Sequence, residues 1–163
     1  MPFSSFELLD HSKPIVVFGR DGQVGKALQE CLKDSRVPVV YLGRSDCDLA
    51  SEVSINQVLS QHQPQVIINA AAYTAVDKAE SEPELAFAIN AKAPELMACY
   101  MANVDHGIFV HYSTDYVFAD TKTDAYLESD VTGPVSQLSI YGQSKLAGEQ
   151  AIEEVFNSEK CSR

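Results

Sequence analysis

Positive charge is scarce in this 163-residue sequence: 12 Lys and Arg stand against 23 Asp and Glu, for a formal charge of -11. No cluster of basic residues relieves that excess, so nucleic acid and anionic membrane surfaces are excluded as partners. No apolar run approaches the ~18 residues of a membrane-spanning helix. The opening MPFSSFELLDHSKP also lacks the basic start and long apolar stretch of a secretion signal. Both absences predict a soluble, cytoplasmic protein. Cys31, Cys47, Cys99 and Cys161 are widely spaced, with no CxxC pair. Neither a zinc site nor a redox dithiol is expected, no metal site is assigned, and the four read as reduced thiols. Internal repeats, low-complexity tracts and linkers are absent too. What remains is 45% hydrophobic residues, enough for the core of one domain and too many for a disordered chain.

The apolar residues are ordered in a telling way. Short β-branched runs at 15–18, 37–42, 66–70 and 107–112 alternate with helical patterns at about 23–34, 53–62, 83–104 and 141–157. Such alternation predicts an α/β fold, a doubly wound parallel sheet of Rossmann type with helices on both faces. Residues 1–14 read as an N-terminal extension and 15–163 as the dinucleotide-binding domain. Pro83 suits the first turn of its helix.

Sheets of this kind bind ligands at the carboxyl ends of their strands, and every unusual polar motif falls there. The first strand runs into GRDGQVG, the second into GRSDCDL, the third into NAAAYT and the fourth into STDYVF. Gly19, Gly22 and Gly25 lie between strand and helix with GxxGxxG spacing. A tight turn, close approach to a pyrophosphate and a helix N-terminus facing that anion all require glycine. Arg44 falls where an adenosine ribose would lie, and a guanidinium there suits a 2'-phosphate, favouring NADPH over NADH; a solvated surface arginine is the alternative. Asp48 either meets the adenine end or caps its loop. Ala70, Ala71 and Ala72 are small enough for a flat cofactor to lie on backbone, while Asn69, Thr74 and Asp77 add polarity that packing alone does not need.

Tyr141 and Lys145 stand four apart in SIYGQSKLAGE, on one face of a helix. Reducing a ketone needs a proton at the carbonyl oxygen as hydride reaches the carbon. Free tyrosine is a reluctant donor, and a neighbouring ammonium favours its ionised form. Alone, such a pair is a common accident; the motifs upstream give it weight. In Ser113-Thr114-Asp115 a hydroxyl could donate to the carbonyl beside Tyr141, the alternative being a turn held by Ser and Asp side chains. Tyr112, Tyr116 and Tyr126 have no lysine four residues on. His111, inside an apolar strand, reads as a satisfied core histidine.

In order, GRDGQVG, NAAAYTAVDKAESEP, INA, HYSTDYVF and YGQSKLAGE resemble the dTDP-4-dehydrorhamnose reductase family, extended-type short-chain dehydrogenases/reductases, from about residue 15 to 155. TAVDKAE and STDYVF are the motifs that point to this branch. The resemblance implies reduction of the 4-keto group of dTDP-4-dehydro-β-L-rhamnose by NADPH, or NADH, to dTDP-L-rhamnose for bacterial polysaccharides. It implies Tyr141 as acid, Lys145 on the nicotinamide ribose, and Thr114 polarising the carbonyl, with Asp115 and Tyr116 on the nucleotide-sugar side. Gln23 and Val24 would join the glycines at the pyrophosphate, Ala70, Ala71 and Tyr73 would meet the middle of the cofactor, and Asn90 would support the catalytic helix.

Departures from the family pattern bear on the substrate. GPVSQLSIY is longer than the usual PxNxY and has Ser139 where Asn is expected, and FADTKTDAYLE lacks a glycine after Phe118. Family members are about twice this length, so the resemblance implies a chain truncated before the next strand, without its C-terminal substrate domain, and with one sheet edge and one face of the last helix uncovered. Some members dimerise through magnesium held by carboxylates. Lys26 and Ala27 offer no such ligand, and a homodimer is an expectation for the longer form only. A reductase or epimerase of another nucleotide sugar, or a noncatalytic dinucleotide-binding or regulatory module, is the competing reading.

Overall fold

The computed structural model describes residues 10–119 and 122–157. Residues 1–9 of the N-terminal extension, residues 120 and 121 of the FADTKTDAYLE loop, and Cys161 lie outside the described residues. Cys31 and Cys47 carry free thiols. Cys99 is disulfide-bonded, which corrects the reading of four reduced thiols.

Four parallel strands, β1 (Ile15–Phe18), β2 (Val39–Leu42), β3 (Val66–Asn69) and β4 (Ile108–His111), form one sheet in the order β2-β1-β3-β4. The chain steps from β1 outward to β2, then back across β1 to β3. That reversal opens a crevice at the carboxyl ends of β1 and β3. Side chains alternate between the faces of each strand. On one face Val16, Phe18, Leu42 and Ile67 pack with Ile55 and Leu59 of α2 (Glu52–His62) and with Met97 and Met101 of α5 (Ala93–Ala102). On the other face α1 (Gln23–Cys31) lies over β2, where the Tyr41 hydroxyl donates to the Leu28 carbonyl at 3.1 Å. Helices on both faces bear out the doubly wound architecture. At the foot of the sheet the Asp10 amide donates to the Gln65 side chain at 2.6 Å, so the extension is partly docked.

The helix expected over 83–104 is interrupted. It consists of α4 (Pro83–Phe87), a π-helical turn (Ala88–Lys92) and α5. Pro94 has no N–H to return to the Asn90 carbonyl, and the ladder shifts to an Ala93 N–H to Ala88 carbonyl bond. Such turns collect at functional sites. A short α3 (Val76–Ala79) precedes this run, and α6 (Ile140–Asn157) packs on α4, α5 and the π-helical turn. Gly148 makes the last contact tight: a Cβ there would sit 2.2 Å from the Asn90 carbonyl oxygen. Among the described residues no helix is long and apolar enough to cross a membrane.

Candidate active site and nucleotide groove

Two sites share the carboxyl end of the sheet. The first is a groove of about 490 Å³ over the β1/β3 crevice. It gathers Gly19, Gly22, Gln23 and Val24 from the glycine turn, Arg44 and Asp48 from the loop after β2, and Ala70 and Ala71 from the end of β3. Gly19 has φ +94°, and a Cβ on it would lie 2.7 Å from the Ala70 carbonyl; only glycine takes that conformation so close to a neighbouring strand. Gly25 is buried behind the groove, with room for no Cβ, since the Gly19 carbonyl oxygen would be 2.1 Å away. Gly22 is the N-cap of α1 and supplies no capping side chain, and the first turn carries no acidic residue. The leading N–H groups of α1 are therefore left for an anion.

Arg44 has no ion-pair partner among the described residues. Asp46, its near neighbour in sequence, is instead bound to Arg20 at 2.6 Å and to the Gly43 amide at 2.8 Å. Arg20 also pairs with Asp21, whose hydrogen bond raises the Arg20 pKa. Asp48 lines the groove and also accepts from the Ala50 amide at 2.9 Å, so the loop-capping role is real. Thr74, marked in sequence for its polarity, also lines the groove, together with Cys47, Leu49 and Ile89, which as apolar residues carried no signal in sequence.

The second site is the Tyr141 face of α6. Tyr141 is buried in a cluster with Tyr73, Ala79, Ala86 and Ile89. Its ring meets that of Tyr116 edge-on, with centroids 5.4 Å apart. Tyr73 belongs to this cluster and does not line the groove: its hydroxyl donates to Glu82 at 2.7 Å. That bond, then burial, raises the Tyr73 pKa. Thr114 Oγ1 accepts from the Tyr116 amide at 3.3 Å, capping the short 3-10 turn Asp115–Val117. Thr114, Asp115 and Tyr116 thus belong to one turn, which packs on α6 with Tyr116 against Tyr141, while Ser113 is bonded to Glu149 of α6.

Lys145 is only 2% exposed. Its Nζ donates to the Tyr112 carbonyl at 2.6 Å and lies 3.1 Å from His111 Nε2. Burial pushes the Lys145 pKa down to about 8, although Glu149 opposes this. The unfolded chain holds that proton more tightly, so burying Lys145 costs stability at neutral pH. The cost fades as pH rises from about 8 toward the ordinary lysine value.

Asn90 ties the segment after β3 to α6. Its Oδ1 accepts from the Tyr73 amide at 2.8 Å, and its Nδ2 donates to the Tyr73 carbonyl at 3.1 Å and to Ser144 Oγ at 3.0 Å. Ser144 in turn donates to the Tyr141 carbonyl at 2.7 Å. Asn90→Ala is expected to lower the unfolding free energy by about 3 kcal/mol, because it orphans buried groups. Urea denaturation measures it, and a loss below about 1 kcal/mol would contradict this bonding. Ser144, three residues after Tyr141, was missed in sequence because a helical serine usually signals nothing.

A four-stranded parallel sheet with a glycine turn between β1 and α1, and a Tyr-x-x-x-Lys helix beside the nucleotide crevice, defines a Rossmann fold of the short-chain dehydrogenase/reductase class. Residues 13–162 match the model of the RmlD substrate binding domain, and the chain belongs to that family. It is 44% identical to the dTDP-4-dehydrorhamnose reductase of Burkholderia thailandensis over 140 residues, covering 86% of this chain and 45% of that one. With the Escherichia coli enzyme of the same name, identity is 43% over 143 residues, covering 86% and 46%. The crystal structure of Bacillus anthracis dTDP-4-dehydrorhamnose reductase in complex with NADP superposes with a TM-score of 0.79 at 36% identity, covering 90% of this chain and 51% of that one. The chain therefore spans about half the length of the relatives it matches.

Proposed function

We propose that this chain is the cofactor-binding portion, residues 15–163, of an NADPH-dependent reductase that converts dTDP-4-dehydro-β-L-rhamnose to dTDP-L-rhamnose. The observation that carries this is one end of one sheet holding both an anion-ready glycine turn and, beside it, a buried Tyr141/Lys145 helix. The groove fits a dinucleotide: Gly19 and Gly25 leave backbone where a Cβ would clash, and the α1 N-terminus is uncapped by any side chain. NADPH, when bound, supplies a hydride to the substrate carbonyl carbon.

The chain's own residues do the rest. The first N–H groups of α1 hold the pyrophosphate, and Arg44 meets the 2'-phosphate. Ala70 and Ala71 let the cofactor lie on backbone. Tyr141 donates its phenolic proton to the carbonyl oxygen, Thr114 polarises that oxygen, and Lys145 holds the nicotinamide ribose and favours the tyrosinate left behind. Asp115 and Tyr116 face the nucleotide sugar. The working form is a soluble cytoplasmic enzyme, completed by the sequence its longer relatives carry and able to form a homodimer in that form. A noncatalytic binding module remains the second reading for the 163-residue chain itself, because it spans only about half of its relatives.

Titration of the purified, monodisperse chain with NADPH and NADH, followed by cofactor fluorescence, tests this reading. Saturable binding that favours NADPH is expected. Arg44→Ala should weaken NADPH by about 10-fold or more and leave NADH nearly unchanged, as loss of a charge-assisted contact implies. A folded chain that binds neither nucleotide would overturn the proposal, and an unchanged NADPH affinity in Arg44→Ala would remove the 2'-phosphate argument.

A further inference from the structure

His111 stands between two groups that both present nitrogen. Asn69 and His111 are register partners across β3 and β4. Asn69 Nδ2 lies 3.1 Å from His111 Nδ1, and Lys145 Nζ lies 3.1 Å from His111 Nε2. The orientation of the Asn69 amide follows from its other partner: the Ala71 amide, which can only donate, points to Asn69 Oδ1 at 3.2 Å. Nδ2 must then be the side facing the imidazole, and it donates. A neutral imidazole accepting at Nδ1 carries its proton on Nε2. That N–H is aimed at Lys145, where an amine lone pair can accept it and an ammonium cannot.

The ammonium needs the opposite arrangement. With Lys145 charged, Nζ donates to Nε2, the imidazole proton sits on Nδ1, and Asn69 must turn its Oδ1 to receive it. The Ala71 amide then loses its acceptor. Ala71 lines the nucleotide groove, where an acceptor on a bound nucleotide can take that donor. One proton is taken up in the change: the Nε2 proton passes to Nζ, and one from solvent enters at Nδ1.

We infer that Asn69 and His111 are positioning residues for Lys145, a tautomer relay that couples the proton on Lys145 to the free or engaged state of the Ala71 amide in the nucleotide groove. The role of this coupling in catalysis rests on the reductase reading above; the coupling itself does not. It allows Lys145 to gain and lose a proton while buried, with partners on hand in either state.

The electrostatic setting is simple. Asn69 is neutral, and β4 contributes only His111. The elements packed on α6 carry Asp77 and Lys78 on α3, Glu84 on α4, Lys92 in the π-helical turn, Glu95 on α5 and Asp115 in the turn after β4. None of these acts appreciably on Lys145; Glu149, on α6 itself, does, and it favours the ammonium. Burial, then Lys145, depresses His111 to about 4, so the imidazole stays neutral while Lys145 titrates.

Nitrogen NMR of the cofactor-free wild-type chain reads the relay directly. The His111 tautomer is expected to change from Nδ1–H below the Lys145 titration, near pH 8, to Nε2–H above it. A single tautomer across that range overturns the inference. Asn69→Asp, nearly isosteric, can only accept from His111; it should lock Nδ1–H at all pH values and raise the Lys145 midpoint by about one pH unit or more. A pH-dependent tautomer in that variant would also overturn it. Because the new carboxylate favours the ammonium through space as well, the same substitution is made in a His111→Gln background. Most of the rise should be lost there if the imidazole transmits it, and an undiminished rise counts against the relay. Nucleotide binding is measured separately, so failure to bind would sink the reductase reading and leave this result standing.

Discussion

Gly25→Ala is expected to destabilise the fold by about 3 kcal/mol or more and to abolish saturable nucleotide binding. The added carbon would stand 2.1 Å from the Gly19 carbonyl oxygen, 2.8 Å from its carbon and 2.9 Å from the Arg20 carbonyl oxygen. All three are backbone atoms of the turn itself, so no flexible side chain can give way. Relief requires α1 to move off the carboxyl ends of β1 and β3, which takes its N-terminus away from where a pyrophosphate would sit. Gly22→Ala provides the contrast. Its Cβ would meet only the Gly19 carbonyl oxygen, at 3.4 Å, an ordinary contact. Gly22→Ala should keep its stability and lose affinity alone, if the cofactor approaches there. Thermal unfolding paired with cofactor titration separates the two, and Gly25→Ala binding like wild type would mean the turn is not held as described.

That contrast marks how far sequence could go. The three glycines announced a tight, anion-facing turn, but not which was needed for backbone conformation, which for packing and which for open space. Those needs are set by where α1 lies on the sheet. The alternation of β-branched runs and helical patterns revealed the layers and the ligand-binding end, because burial on both faces of a parallel strand forces continuous apolar runs. Several strand and helix ends fell as expected and the rest shifted by one to three residues, as fraying ends do. The π-helical turn was hidden by an apolar stretch that reads as one helix through Pro94.

Within the site, the glycine turn, Arg44 and the alanines after β3 were legible because each is unusual at a strand end, whereas Cys47, Leu49 and Ile89 were not. Tyr73 was placed beside the cofactor by resemblance, whereas its ring packs against Tyr141 and its hydroxyl serves Glu82. His111 was read as a satisfied strand histidine, and it is satisfied. Its partners could not be foreseen, since facing Asn69 depends on strand register and facing Lys145 on the docking of α6. Pairings of that kind are tertiary facts with no local signature.

Tyr141→Phe, made in a form of the protein long enough to bind the nucleotide sugar, is expected to lower kcat by about 100- to 10,000-fold, the span that a positioned general acid contributes. Cofactor affinity and stability should hardly change, for reasons visible around the ring. The hydroxyl has no hydrogen-bond partner among the described residues, whereas the ring is packed with Tyr73, Ala86 and Ile89 and edge-on to Tyr116. Phenylalanine keeps all of that packing, and the Ser144 bond reaches the backbone carbonyl of Tyr141, not its side chain. Lys145→Met should behave differently: cofactor affinity falls along with turnover, because the ribose loses its partner, while stability at neutral pH is kept or improved by removing a cation whose burial costs stability there. The pair of variants thus splits the proton donor from the group that holds the cofactor. Turnover surviving in Tyr141→Phe would move the acid to another group and reduce the Tyr141/Lys145 pair to a packing feature of the last helix.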